Sequence, residues 1–509
     1  MSALSTAVNL DRVSAITGYA IEGSLENVRA GNLLQRIAVL AEANAANQVG
    51  LPTKLNFAID KEVGDNLGYG SPAHIISRIL RPLSGDKLGG IPTLIYPVEE
   101  ADGATATVIT IGITGTATKN KTHKIVLSGR DQIDGDSYSF VVEKNDGAAE
   151  ISQKMIDAVN NILGAPAIGT VVADDAVFTS KWKGVTSKEM NISIDVQGDS
   201  AGITYSEESK VDGAGLPDIS DALAEFGEEW NTLVINGIGS DSTILDALEA
   251  FNGNVNDKTG RYEPTIFKPF ISLFGDNSID TLTEATSLTG TRKNEMTNVF
   301  CPAMNSKGFS FEAPANIAFN YAKTAQDTPA TDPIYDLYPD MPTAESIGDF
   351  ANSTKRDQIV KVGSSTAKLN SGSYQILDLV TTYHPDNEPQ TSVLFRWVRD
   401  LIVDWNVKYK YTLLENIYVK GKIIVNDNAV VTAPGTISPK RWKGILISEL
   451  FPALVDEALA ADLNFMKETL QVKIGESNPN RFETTFKSKR TGIARVLSTT
   501  QTVTFNFGG

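Results

Sequence analysis

Cysteine is almost missing from this chain. The 509 residues hold one, Cys301, so no disulfide can form within the chain and a reducing compartment fits. It lies in VFCPAM, beside Val299, Phe300 and Pro302, and reads as a small buried hydrophobe. Histidine is scarce as well: His74, His123 and His384 are the full set. No two are close in sequence and none sits in an H-E-x-x-H pattern, which argues against a zinc site. No apolar run reaches the roughly 18 residues of a membrane span. The opening MSALSTAVNLDRVSAITGYA lacks the basic start and apolar stretch of a secretory leader. Positive charge is in deficit. The net charge is −17, which argues against nonspecific nucleic-acid binding.

Signatures of chemistry are equally thin. There is no G-x-S-x-G elbow. GITGTATKNKT (112–122) has glycines, threonines and lysines but no G-K-[ST] phosphate loop. NGIGSDS (236–242) follows a strand pattern and precedes a helix pattern, the right context for phosphate, but lacks the third glycine and reads as a turn capped by Ser and Asp. Asp174 with Asp175, and Glu99 with Glu100, lack EF-hand spacing and read as turn or surface acids. His384, in TTYHPDNEP, sits before a proline in a turn-rich loop.

What is present is length and pattern. A single core stops growing at about 250–300 residues, so several domains are expected. Charge is uneven: from Thr391 onward there are 16 Lys and Arg against 11 Asp and Glu, whereas residues 1–390 hold 29 against 51. RIAVLAEANAAN (36–47) opens as an apolar strand. DKEVGDNLGYGSPAHIISRIL (60–80) reads as a glycine-punctuated loop leading into an amphipathic helix with Ile75, Ile76, Ile79 and Leu80 on one face. TLIYPVEE (93–100) is a strand. Residues 101–204 turn Thr-, Val- and Ile-rich, with several short strands and one helix over 147–163. Alternating helix and strand resume at DISDALAEFGEEW (218–230), TLVINGIG (232–239) and STILDALEAFNG (242–253), which predicts a partly parallel sheet covered by helices. Two long helices are expected near the end. The first spans 391–410, with Leu394, Trp397, Val398, Leu401, Ile402 and Trp405 as its stripe. The second spans 448–470, with Ser448 as a possible N-cap and Pro452 in its first turn. SAITGYAIEG (14–23) has strand character, and 492–509 has a period-2 strand pattern near its end.

The expected fold class is mixed α/β (α+β) and multidomain. An α/β domain covers 31–100 and 205–390 and is interrupted by a β-rich module at 101–204. A C-terminal domain covers 391–490, and 1–30 and 491–509 are arms.

Several segments, taken in order, resemble the contractile phage tail sheath family, in particular its Mu-like branch. They are DNLGYGSPAHIISRIL, ITGTATKNKTHKIVLSG with DSYSFVVEKNDGAAEISQKMIDAVNN, LPDISDALAEFGEEWNTLVING, and DLVTTYHPDNEPQTSVLFRWVRDLIVDWNVKYK. Val407-Lys408-Tyr409-Lys410 departs from the family's usual Tyr-Pro-Arg after the long helix, and no protease triad maps onto named positions. The resemblance implies a structural virion protein, not an enzyme and without cofactor. Its subunits form hexameric rings stacked helically around a tail tube, and its terminal arms donate strands to neighbours. Ala15, Thr17, Tyr19 and Ile21 would carry one arm; Thr500, Val503, Phe505 and Phe507 the other. Arg396, Arg399, Lys408, Lys410, Lys440, Arg441 and Lys443 would face the tube from an inner C-terminal domain. The implied partners are further copies of the chain, the tube protein, and baseplate and tail terminator proteins, with no nucleic acid and no membrane insertion. The implied location is the virion tail, assembled in the host cytoplasm. The sheath of a phage-derived bacteriocin or other contractile injection system is an alternative. An α/β hydrolase is a remote one, and would need a pocket joining a histidine to a Ser or Cys nucleophile.

Overall fold

The structure, a computed structural model, describes residues 31–82, 88–130, 138–333, 336–338, 341–430 and 433–503. The chain opens with β1 (Ile37–Glu42), β2 (Leu55–Asn56), α1 (Asp60–Leu67), α2 (Pro72–Leu80) and β3 (Thr93–Val98). The loop expected before α2 is in fact α1. Its glycine does not break it, because a Cβ at Gly64 would lie 2.5 Å from the Tyr69 ring; the bare position lets that ring pack. Gly68, at φ +93, then ends the helix. Ser71 accepts from the His74 N–H and Pro72 takes the first turn of α2, a favoured start.

A β-rich stretch follows: β4 (Val108–Thr114), β5 (Lys121–Leu127), β6 (Ser139–Val142), α3 (Ala148–Asn160), β7 (Ala167–Val172), β8 (Asp175–Ser180), β9 (Ile192–Asp195) and β10 (Thr204–Val211). It forms two sheets, ordered β10-β4-β8-β7 and β6-β5-β9. Because β10 lies antiparallel on β4, these strands continue past residue 204.

The α/β part resumes with α4 (Ser220–Ala224), β11 (Leu233–Asn236), α5 (Ser242–Asn252), β12 (Ile271–Gly275), α6 (Leu282–Thr289), β13 (Asn298–Cys301) and α7 (Glu312–Asp327). Its sheet is ordered β13-β12-β11-β1-β3-β2, parallel except for β2. Strands of this kind are covered on both faces and read as continuous apolar runs. Ile37, Val39 and Ala41 pack with α2 and α7; Ala38 and Leu40 turn the other way, towards α4 and α5. Next come α8 (Ser353–Lys361), β14 (Thr366–Asn370) and β15 (Ser373–Asp378), the last two forming a hairpin.

The last part contains α9 (Val398–Tyr418), β16 (Ile423–Ile424), β17 (Thr436–Ile437), α10 (Pro439–Ile445), α11 (Phe451–Asp456), α12 (Leu463–Thr469), β18 (Gln471–Ile474) and β19 (Phe482–Thr485). Both expected long helices differ from the sequence reading. The first begins at 398, not 391. The Thr381 N–H donates to Arg396 O at 2.7 Å and Trp397 bridges Val380, which holds these residues extended. The second is broken. Ser438, not Ser448, caps it, accepting from the Arg441 N–H. A π turn over Leu446–Leu450 precedes Pro452, whose ring has no N–H to give. Ala458, at φ +56, then stops the helix until Asp462 caps α12. The buried residues of α9 serve two cores, although those of the expected stripe stay together. Leu401, Ile402 and Trp405 join the main core, while Val403 and Leu414 join a separate C-terminal core with Trp442, Phe451 and Met466.

Candidate interaction surfaces

The residues best suited to chemistry are engaged in the interior. His74 takes the Gly70 N–H on Nδ1 at 3.1 Å. His123 lies between the Tyr205 hydroxyl (2.7 Å) and Asp199 O (3.1 Å). His384 contacts Thr382 O through Nδ1 at 2.6 Å, and burial lowers its pKa. Cys301 is buried, and burial holds its thiol well above the usual range. Among the described residues no group of three or more His, Cys, Asp or Glu could hold a metal ion. The turn after β11 is closed by its own side chains. Asn236 accepts from the Ile238 N–H and donates to Gly239 O, and Asp241 caps α5 through the Thr243 N–H.

In a doubly wound sheet the crevice for ligands lies where strand order reverses, at the carboxyl ends of the strands. Here that place is the end of β1, between β3 and β11. It is covered. Glu42, the last residue of β1, accepts the Thr186 hydroxyl, and Thr186 in turn accepts from the Trp182 indole N–H at 2.9 Å.

The basic residues expected to face a tube fall into three groups. Arg396, Arg399 and Lys410 are buried, which corrects the reading for those three. Arg396 donates to Gln390 O and Oε1, both at 2.6 Å. Arg399 donates to Ala330 O (2.8 Å) and to Thr491 O and Oγ1 (2.5 Å each). Lys410 pairs with Glu457 at 2.8 Å. Lys408 is half-buried, with its ammonium over the Trp230 and Phe267 rings at 5.1 and 5.4 Å, and burial lowers its pKa. Lys440, Arg441 and Lys443 are exposed on α10.

The two arms divide differently. Ala15, Thr17, Tyr19 and Ile21 lie outside the described residues, as do Phe505 and Phe507. Thr500 and Val503 are described and exposed; residues 492–503 carry no strand, and 496–503 are all exposed. The stretch before them, 488–495, is strapped down. Arg490 grips Asp404 through two bonds of 2.8 and 2.5 Å. Arg495 pairs with Asp332 and stacks 3.6 Å over the Trp397 ring. The Thr491 hydroxyl donates to Ala458 O. A cavity of about 1360 Å³ lies along this strap, lined by Arg356, Asp378, Val393, Trp397 and Ile493 among others. The sequence reading missed the strap. Its only signal was the basic run KSKR, whose acidic partners lie far away in sequence.

The hairpin of β18 and β19 is two-stranded, so among the described residues both outer edges lack a ladder. Beside β19 a cavity of about 520 Å³ opens against α9, lined by Val407, Lys408, Tyr411, Thr484 and Phe486.

No protein-family model matches the sequence. A relative named Mu-like prophage FluMu tail sheath protein, from Haemophilus influenzae, is 22% identical over 394 residues, covering 76% of this chain and 77% of that protein. Among solved structures, the chain is similar to the sheath tail protein of Desulfitobacterium hafniense (12% identity, TM-score 0.42, covering 90% of this chain and 93% of that one). It is also similar to a chain of the anti-feeding prophage baseplate (11% identity, TM-score 0.48, covering 96% and 100%). Over 76% of its length, the chain is a homologue of a Mu-like phage tail sheath protein.

Proposed function

We propose that this chain is the sheath subunit of a contractile phage tail. It polymerises helically around a tail tube and contracts to drive the tube through the host envelope. The observation that carries this reading is the alignment with a tail sheath protein over 394 residues, 76% of this chain. Its place is the virion tail, after assembly in the host cytoplasm. Its partners are other copies of itself, the tube protein, the baseplate and the tail terminator.

Assembly follows from strand physics. An open strand edge presents unpaired N–H and C=O groups, and an extended tail from another chain pairs with them by main-chain bonds. The outer edges of the β18–β19 hairpin suit that role, and the cavity beside β19 can take alternate apolar side chains. The donors are the segment around Ala15, Thr17, Tyr19 and Ile21 and the segment of Thr500, Val503, Phe505 and Phe507. In the domain layout we propose, 1–30 is one arm and 31–100 with 205–390 the α/β domain. The outer module spans 101–204 with its last strand continuing to Val211, 391–490 is the tube-facing domain, and the final arm frees itself after Arg495. A head-to-tail contact that does not close gives a filament. Contraction then releases energy held in a metastable lattice, behind a kinetic barrier. Lys440, Arg441 and Lys443, with the half-buried Lys408, are the basic residues left to meet the tube.

Negative-stain microscopy of the purified full-length chain, alone and with its tube protein, tests this. Hollow striated tubes are expected. Compact particles under every condition, tube protein included, would rule the reading out.

A further inference from the structure

Between β3 and β11 the chain leaves the six-stranded sheet, builds the β-rich body, and returns on the other side of β1. The outgoing and returning segments meet. Thr105 N–H donates to Ala214 O at 2.8 Å, and Ala214 N–H donates to Thr105 O at 3.2 Å. Gly215, at φ +113, has room for no side chain, since a Cβ there would lie 2.7 Å from that of Ala104. The β-rich body is therefore joined to the α/β body by a narrow two-stranded neck.

Beyond the neck, three glutamates stand where the bodies touch. Glu312, in α7, pairs with Arg130 at 2.5 Å, both buried. Glu42 is buried at the end of β1. Its Oε2 takes the Thr186 hydroxyl from the β-rich body, and its Oε1 has no hydrogen-bond partner among the described residues. Glu189 ends the same short turn as Thr186 and reaches back to accept the Ser310 N–H at 2.6 Å. Unlike Glu312, neither Glu42 nor Glu189 forms an ion pair among the described residues.

The charges facing these two acids are mixed: a carboxylate opposes the ionisation of each, and Lys188 favours that of Glu189. Near Glu42 stands Glu100, after β3, itself paired with Lys183 at 2.7 Å. Near Glu189 stand Asp276, after β12, and its own neighbour Lys188. Burial pushes the Glu42 carboxyl up to about 8, opposed by the Thr186 bond and helped by Glu100. Glu189 is only partly buried as a residue; burial of its carboxyl pushes it up to about 7, opposed by its Ser310 bonds and by Lys188 and helped by Asp276.

We propose that Glu42 and Glu189 form a proton-dependent latch, which holds the β-rich body against the α/β body and releases it about the Thr105–Ala214 neck as the two carboxyls ionise. Released, each carboxyl regains water and its ordinary value of 4.5. Docking is therefore fully favoured below that value. It weakens about tenfold per pH unit per group as pH rises above it, and the loss is complete past the docked value of each. The contact of Trp182 with Phe309, ring centres 5.3 Å apart, does not titrate and opposes release. Opening also uncovers the end of β1, where strand order reverses.

Hydrogen exchange read by mass spectrometry on the full-length chain tests the latch, at about pH 6 and about pH 9 with rates corrected for intrinsic exchange. The wild type should lose at least about tenfold in protection at pH 9 over residues 182–191 and 306–312. Strands β7, β8, β11 and β12 should stay protected, because both bodies remain folded. The Glu42→Gln/Glu189→Gln double variant keeps shape and removes charge, and should show equal protection at both pH values. Unchanged wild-type protection, an equal loss in the double variant, or a loss that spreads to β7, β8, β11 and β12 would each overturn the proposal.

Discussion

In the six-stranded sheet every residue of β1, β11, β12 and β13 is buried. The C-terminal unit is built differently: it takes Arg399 and Lys410 inside, is laced within itself by Arg490 to Asp404, and is tied to the body by Arg495 to Asp332. The sheet is held by apolar burial, which is non-directional and scales with area. The strap is held by directional, charge-assisted bonds whose partners are far apart in sequence. The first kind of cohesion survives small displacements. The second is all or nothing at each pair.

The contrast is broken most strongly by cutting into the sheet. Leu273 is fully buried at the centre of β12, between Ile235 and Val299. Leu273→Ala should cost about 3–5 kcal/mol from lost transfer and residual cavity. Denaturant unfolding followed by circular dichroism measures this, and a loss below about 1 kcal/mol would show that the sheet is not the main store of stability.

A smaller effect is expected at the strap. Arg490→Ala leaves Asp404 without its bidentate partner, but the Asp404 side chain keeps 37% exposure. Water therefore offsets much of the loss, and the cost should be about 1–2 kcal/mol. It should be local: proteolysis after residue 487 should speed up while the sheet unfolds at its former denaturant concentration. A double-mutant cycle with Asp404→Asn isolates the pair. Additive single effects would mean that the crossed bonds carry no coupling.

The same contrast explains what could be read from the sequence. IAVLAE and LVIN declare buried parallel strands by composition alone, because burial on both faces demands apolar residues at every position. Asp241 before STILDALEAFN declares a helix start for a similarly local reason. The helix over 391–410 was misplaced because the competing partner of residues 396–397 is the strand-like Val380–Thr381, a non-local pairing that no periodicity encodes. Pro452 does stand in the first turn of α11, but the helical run that reaches it through the π turn begins earlier, at Pro439, where the apolar pattern gives no warning. Arg396, Arg399 and Lys410 looked like surface charge for the same reason that the strap was missed. An ion pair is recognisable only when both partners are seen, and Lys410 with Glu457, or Arg490 with Asp404, lie 47 and 86 residues apart.

The smallest effect on stability should accompany the largest effect on assembly. Residues 499–503 are exposed and belong to no described strand, so deleting 499–509 removes no described apolar burial. The unfolding free energy should stay within about 0.5 kcal/mol of the parent, as for surface changes away from special features. Polymerisation, by contrast, should fail, because the alternation of Thr500, Val503, Phe505 and Phe507 is what a neighbour's open edge would read. Denaturation and microscopy of the same preparation separate the two quantities. A truncated chain that unfolds early would place this segment among the elements that hold the subunit together. One that is stable and still forms striated tubes would assign strand donation elsewhere and leave the strap, not the tail beyond it, as the C-terminal element that matters.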